Sequence, residues 1–219
     1  DASDTFTIPA SATLDVNGTI DVTGATTTGF PAGGLAGVQA YTSGGTWTKA
    51  TRESALGITI TKVVVEVQGG GGGGHSGSGT AIMGGSGGGY AKKLLDVSSV
   101  TSSTITVGAG GGSGVSGGDS SWADSVHTNV VGVKGLTGTG PTATVGGLGT
   151  GGDVNIQGGH GGKSYESKGG GSVLGQAGNN YTITSGQSNA SGYGGGGGAC
   201  ETFASGSGSG GIVIVWEYQ

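Results

Sequence analysis

Two stretches of the chain alternate apolar and polar residues in the manner of β-strands. The first, "ITITKVVVEVQ" at 58–68, places three valines on one face, because successive side chains of a strand point to opposite faces. The second, "GIVIVWEYQ" at 211–219, is apolar on both faces, which is typical of a strand in the middle of a sheet. Since neither has another obvious partner, we expect 62–68 and 211–219 to pair.

Other short stretches predict a β-rich base over residues 46–107. "GTWTKA" at 45–50 and "STITVGAGG" at 103–111 read as strands, and "GGGYAKKLLDVSSV" at 87–100 favours a strand over a short helix. The preceding segment, 31–45, is predicted to be a connector.

The N-terminal residues form a repeat of six. Aligned from Thr7, the chain reads TIPASA, TLDVNG, TIDVTG and ATTTGF, so residues 1–30 are predicted to be a hexad-repeat segment. A repeat this short cannot bury its apolar face alone and needs stacked neighbours or other chains. It favours a fibrous shaft in which three chains associate. The alternative is an ordinary β-meander with coincidental spacing.

Composition changes the picture for the rest of the chain. Glycine supplies 58 of 219 residues, but only three prolines are present, so a collagen-like triple helix is excluded. Charged residues make up 10% and the net charge is −5, unlike the high charge of disordered chains. The few basic residues are scattered, which argues against nucleic-acid binding. No stretch of about 20 apolar residues predicts a membrane span.

The glycine runs are predicted to be ordered. Flexible linkers repeat glycine and serine, whereas the intervals between these runs contain tryptophan, tyrosine and phenylalanine. Polyglycine can form a polyproline-II-type helix, whose N–H and C=O groups point sideways and must be paired when buried. Several such helices packed side by side would pair them. We therefore expect an all-β fold with a glycine-rich bundle of polyglycine II helices over 108–219, closed by the strand at 211–219.

The order of these pieces carries a family resemblance. "GTWTKA", "VVVEVQGGGGGG", "GGGYAKKLLDV", "TITVGAGGG", "GYGGGGGA" and "GSGGIVIVWEY" resemble the glycine-rich domain at the ends of bacteriophage tail fibres, over about residues 45–219. The plan is also similar to the tip adhesin of T-even-like phages. The chain departs from that adhesin in its shaft-like hexads, which suggest a tip fused to its own fibre.

The resemblance implies a receptor-binding protein at the distal tail fibre of a virion, assembled in the host cytoplasm. Its partner would be a bacterial outer-membrane protein or polysaccharide, and its shaft would make it a homotrimer. Loops on a rigid frame are the usual sites of recognition, and aromatic side chains there give large contact area. The candidate receptor-binding residues are Trp122, His127, Tyr165, Asn180, Tyr181 and Phe203.

Enzymatic chemistry has little support in the sequence, and no cofactor is expected. A glycan-cleaving tailspike needs two carboxylates about 5–9.5 Å apart, and no spacing among the loop acids predicts such a pair. The three histidines lack metal-ligand spacing, and Cys200 has no activating partner. A glycan-cleaving enzyme remains the alternative. An ice-binding protein is less well supported, because the glycine runs are irregular.

Overall fold

The structure, a computed structural model, describes residues 34–76, 82–138, 143–163, 167–179, 188–200 and 204–219. The chain divides into two compact units, 1–32 and 33–219. The predicted shaft lies outside the described residues. The second unit is mostly β-structure. Its elements are β1 (Leu35–Tyr41), β2 (Gly45–Thr48), α1 (Lys49–Leu56), β3 (Lys62–Gln68), β4 (Tyr90–Asp96), β5 (Ser102–Thr106), β6 (Ser120–Ala123), β7 (Val130–Gly132), β8 (Gly149–Thr150), β9 (Val154–Ile156), β10 (Gly175–Gln176), β11 (Ser191–Gly192) and β12 (Ile212–Tyr218).

The first sheet has the strand order β1-β12-β3-β4-β9, and every neighbouring pair is antiparallel. Its central pair is the one that the sequence predicts. Val65 lies opposite Val215, and the ladder runs from Ile212–Gln68 to Tyr218–Lys62. The stretch at 87–100 also forms the predicted strand, β4, which pairs with β3 over seven residues. The pairing of β3 with β12 thus joins the two ends of the glycine-rich region.

The second sheet has the order β2-β5-β6-β7-β8, also antiparallel throughout. One face of each sheet contributes to a single apolar core. Trp47 of β2 and Trp122 of β6 are fully buried there, with ring centroids 5.3 Å apart and planes tilted by 50°. Packing of this kind adds about 0.5–1.5 kcal/mol beyond the area that the rings bury. The two sheets therefore form a sandwich.

Helix α1 was not expected from the sequence. The predicted strand at 45–50 ends at Thr48, and the chain then turns into a helix that Gly57 terminates with φ 68°. The helix buries none of its own residues, but it holds Arg52 against Glu217, a carboxylate with no exposed surface. Arg52 donates two hydrogen bonds of 2.8 Å to Glu217, and the indole of Trp47 donates a third. A buried carboxylate needs such partners.

Two predicted boundaries are wrong. The connector proposed for 31–45 contains β1, which pairs with β12 along its whole length. The physical reason is that β12 is apolar on both faces and so lies inside the sheet, where it needs a partner on each edge. The base also extends past residue 107, because β6, β7 and β8 complete the second sheet. The glycine-rich segments therefore alternate with strands of the sandwich along the chain.

Candidate functional site

The longest glycine run, 69–74, leaves β3 and makes hydrogen bonds sideways with a period of three residues. Its six N–H groups donate to backbone carbonyls at 2.9–3.0 Å, and every third donor reaches the same neighbouring segment. The donor–acceptor pairs are Gly69–Gly89 and Gly72–Ser86, Gly70–Gly118 and Gly73–Val115, and Gly71–Ser209 and Gly74–Gly206. The partner number falls by three each time, so these three neighbours run antiparallel to it.

Three further segments donate to the carbonyls of the same run. The N–H groups of Gly135, Gly111 and Gly197 bond to Gly70, Gly71 and Gly72. The run 69–74 is therefore enclosed by six neighbouring segments. The same pattern of hydrogen bonds encloses 84–89 and 194–198. We call these three the core segments.

Nine segments form the periphery around the core segments in the described part of the chain. They are joined to the core segments and to each other by the same kind of backbone hydrogen bond. The peripheral segments are 108–112, 115–118, 132–138, 144–149, 157–163, 167–172, 175–179, 188–191 and 204–211. Together the segments pack side by side in an array at one end of the sandwich.

The position of a segment in this array explains its composition. A Cβ atom added to any glycine of 69–74 would lie within 3.0 Å of a backbone atom in a neighbouring segment, closer than real Cβ atoms come. The core segments are accordingly all glycine, apart from Ser86. Its hydroxyl accepts the N–H of Leu136 at 2.8 Å. Each peripheral segment has one side without a neighbouring segment, and the exposed side chains of Leu136 and Val145 lie on such sides.

The segments alternate in direction, which sorts their connections to two ends. Those that leave β3, β5, β7 and β9 run away from the sandwich, and those that enter β4, β6, β8 and β12 return to it. His75 and Met83, for example, pair with each other where the first outgoing and returning segments meet. We call this the far end. A tight turn at Gly112–Val115 lies there as well.

The sequence prediction for Trp122 is wrong. The residue lies in β6 rather than in a loop, and its side chain has no exposed surface. The ring packs against Trp47, and its indole N–H donates to Asp124 at 2.7 Å. A four-residue strand that begins with two serines and lies between two aspartates has too weak an alternation to predict a core residue. Trp122 therefore has no exposed surface with which to contact a receptor.

His127 lies in the loop after β6, which belongs to the sandwich. Asp124 organises this loop by accepting the N–H groups of Val126 and His127 at 2.8 Å, and the His127 ring lies 3.1 Å from the same carboxylate. Burial opposes ionisation of Asp124, but these donors and the Trp122 indole outweigh it and hold its pKa below the ordinary value. His127 is one-fifth exposed, and its ring is occupied by an internal partner.

The other four candidates, Tyr165, Asn180, Tyr181 and Phe203, lie outside the described residues. Their described neighbours are at the far end. Ala199 donates its N–H to Ser167 at 2.9 Å, which joins the segments that flank Phe203 and Tyr165. Asn179 donates to the hydroxyl of Ser188 at 2.7 Å, across the gap that contains Asn180 and Tyr181. The flanks of these candidates are thus drawn together, away from His127.

The described residues contain no group of three or more His, Cys, Asp or Glu side chains placed to hold a metal ion. The helix of the described part is too short and too polar to cross a membrane. Sequence reasoning missed the buried Arg52–Glu217 pair, and only the isolated charge in the apolar β12 pattern could have indicated it. A scan against protein-family models and a search of curated proteins found no match for this chain.

Proposed function

We propose that the chain is the tip of a bacteriophage tail fibre and recognises the bacterial host surface through the connections at its far end. The observation that carries the proposal is the sorting of connections. Glycine segments that alternate in direction bring the flanks of three aromatic or amide-bearing intervals to one end, opposite the sandwich. Loops that differ in sequence and are presented together by a rigid frame are typical recognition surfaces.

The proposed frame is a bundle of polyglycine II helices. Three features support this assignment. The hydrogen bonds repeat every three residues, which is the period of that helix. They run to neighbouring segments rather than along the chain, and the close approach of backbones demands glycine in the core segments. Ordering glycine is entropically costly, and the sandwich strands that flank eight of the segments offset this by fixing their ends.

The receptor would be an outer-membrane protein or a surface polysaccharide. We propose that binding is made by Tyr165, Asn180, Tyr181 and Phe203, and that three copies associate through the hexad repeat at 1–30. In a virion the chain would then lie at the distal end of the fibre, with its far end directed at the cell.

The test is binding of the fluorescently labelled full chain to a panel of bacterial strains that includes surface-protein and polysaccharide mutants. We expect binding to a few strains and its loss in one receptor mutant. Tyr181→Ala should weaken that binding by about tenfold or more, the range of an aromatic contact residue. His127→Ala, in the sandwich loop, is the matched control and should bind as the wild type does.

Two results would contradict the proposal. One is equal binding by the Tyr181→Ala, Tyr165→Ala and Phe203→Ala variants and the wild type. The other is shortening of purified host polysaccharide by the protein, measured by size-exclusion chromatography, which would identify it instead as a glycan-cleaving enzyme.

A further inference from the structure

The outer face of the first sheet carries an apolar row across its middle that is open to solvent in the described part of the chain. Cross-strand register places Val38, Trp216, Val64 and Leu94 in one row across β1, β12, β3 and β4. Val38 is 43% exposed and Leu94 is 54% exposed. Val64 and Trp216, between them, are half-buried. The row runs across four of the five strands and forms a continuous surface.

The two rows that flank this one carry the charges of the face. On one side Lys62 lies opposite Asp96 across β3 and β4, and both are exposed. On the other side the charges form an ion pair. Glu66 pairs with Lys92 at 3.2 Å and accepts hydrogen bonds from the Tyr90 hydroxyl and the Trp216 indole at 2.7 and 3.0 Å. Ile214 lies beside Glu66 in the same row. Each of these four charges therefore lies opposite one of the other sign, and together they sum to zero. An apolar centre beside satisfied polar groups is typical of protein–protein interfaces.

The second sheet of the same sandwich provides an internal comparison. Its outer face carries hydroxyl side chains, among them Thr46, Thr104 and Thr106, which are exposed. Antiparallel sheets with one solvated face are normally polar on that face. The second sheet follows this rule and the first does not. The exposed apolar row is therefore particular to the first sheet and does not follow from the sandwich architecture that both sheets share.

We propose that the outer face of the first sheet, defined by Val38, Val64, Leu94, Ile214 and Trp216, packs against the same face of other copies of this chain. Chain connectivity supports this occupant. The face is bordered by β1, an edge strand that begins two residues after residue 33. The hexad repeat, whose apolar positions predict association of copies, is thus the sequence that directly precedes this edge.

The occupant is also consistent with the chemistry of the face. It is aliphatic with one central tryptophan, and tryptophan is among the residues that contribute most to interfaces. A copy of the same face, which has no net charge, meets it without burying an excess of either sign, which would be costly. In one respect the inference rests on the proposed function, because the shaft would bring the copies together.

The test uses the full chain and two matched single-cysteine substitutions on outward-facing strand positions, Leu94→Cys on the first sheet and Thr104→Cys on the second. The wild-type protein, whose cysteine Cys200 is buried, gives the background rate of thiol modification. Reaction with a polymer-linked maleimide should be at least about tenfold slower for Leu94→Cys than for Thr104→Cys, because thiol reactivity follows exposure. Both variants should react equally in urea.

Equal rates in the native protein would overturn the proposal. A second pair of variants tests the assembly itself by light scattering. Leu94→Glu should lower the oligomer mass or its resistance to dilution, whereas Thr104→Glu should leave both unchanged. If Leu94→Glu changes neither the oligomer mass nor its resistance to dilution, the face is not an interface. Strain binding is scored separately, so loss of host recognition with a protected Leu94→Cys thiol would reject only the receptor proposal.

Discussion

Replacing Gly73 by alanine should strongly destabilise the array, whereas the same change at Gly112 should leave its stability almost unchanged. The two residues face each other in adjacent segments. A Cβ on Gly73 would overlap the carbonyl group of Gly112, whereas a Cβ on Gly112 has nothing within 4 Å. Neither residue has a left-handed backbone. The pair therefore separates steric packing from the intrinsic difference between glycine and alanine.

The magnitude follows from the contacts that must yield. To admit the Cβ, segment 108–112 and the turn that follows it must move away from segment 69–74. The hydrogen bonds from Gly111 to Gly71 and from Gly114 to Gly74, now 2.9 and 2.8 Å long, are then lost. Each is worth about 1 kcal/mol, and overpacking typically costs about 1–3 kcal/mol more. We expect Gly73→Ala to lower the free energy of unfolding by about 3–5 kcal/mol. Gly112→Ala should change it by less than about 1 kcal/mol, with a small gain from the restricted unfolded chain.

The assay is urea unfolding of both variants and wild type, followed by far-ultraviolet circular dichroism and by fluorescence of the buried tryptophans. A free energy of unfolding for Gly73→Ala within about 0.5 kcal/mol of that for Gly112→Ala would refute the reasoning, because surface changes commonly fall in that range. It would mean that the segments are not held in the close packing described above.

Two further predictions concern buried charges. Arg52→Ala leaves the Glu217 carboxylate buried without its ion pair and should destabilise the fold by about 3 kcal/mol or more. Lys92→Ala removes a half-exposed partner of Glu66 and should lower the free energy of unfolding by less than about 1 kcal/mol. Equal urea midpoints for the two variants would contradict this expectation. Because folding lowers the pKa of Asp124, its ionised form stabilises the fold fully at pH values above its ordinary pKa of 3.8. This contribution to stability is lost as the pH falls through the lower pKa of the folded state. The difference in unfolding free energy between wild type and Asp124→Asn should therefore be full near neutral pH and shrink in acid; a difference independent of pH would disprove it.

The sequence was sufficient to predict the central strand pair and the chain's β character. The alternation in 58–68 and the two-sided apolar pattern of 211–219 are local signals that survive in the structure as β3 and β12. The helix and β1 could not be predicted in the same way. β1 has a weak pattern, "LAGVQAY", and is a strand because β12 needs a second partner. Tertiary pairing decided the outcome there.

The candidate site was predictable only in part. The sequence pattern predicts exposed loops for the aromatic residues between glycine runs, but Trp122 is held in the core by Trp47 and Asp124. A position in a four-residue strand and a position in a loop look alike in sequence. The grouping of the flanks of Tyr165 and Phe203 depends on hydrogen bonds between distant segments, and no local pattern encodes those.

The three-residue period restricts how such a chain can change in length. Removing one residue from a core segment would turn every later donor in it by about a third of a turn and direct it to the wrong neighbour. Only triplets preserve the pairing, and only if all neighbours lengthen together. The connections at the far end carry no such constraint, because loop length affects stability only logarithmically. Insertions and deletions should therefore accumulate at the far end while the array stays fixed in length, so that variants of this protein can change the surface of that end without any change in the array.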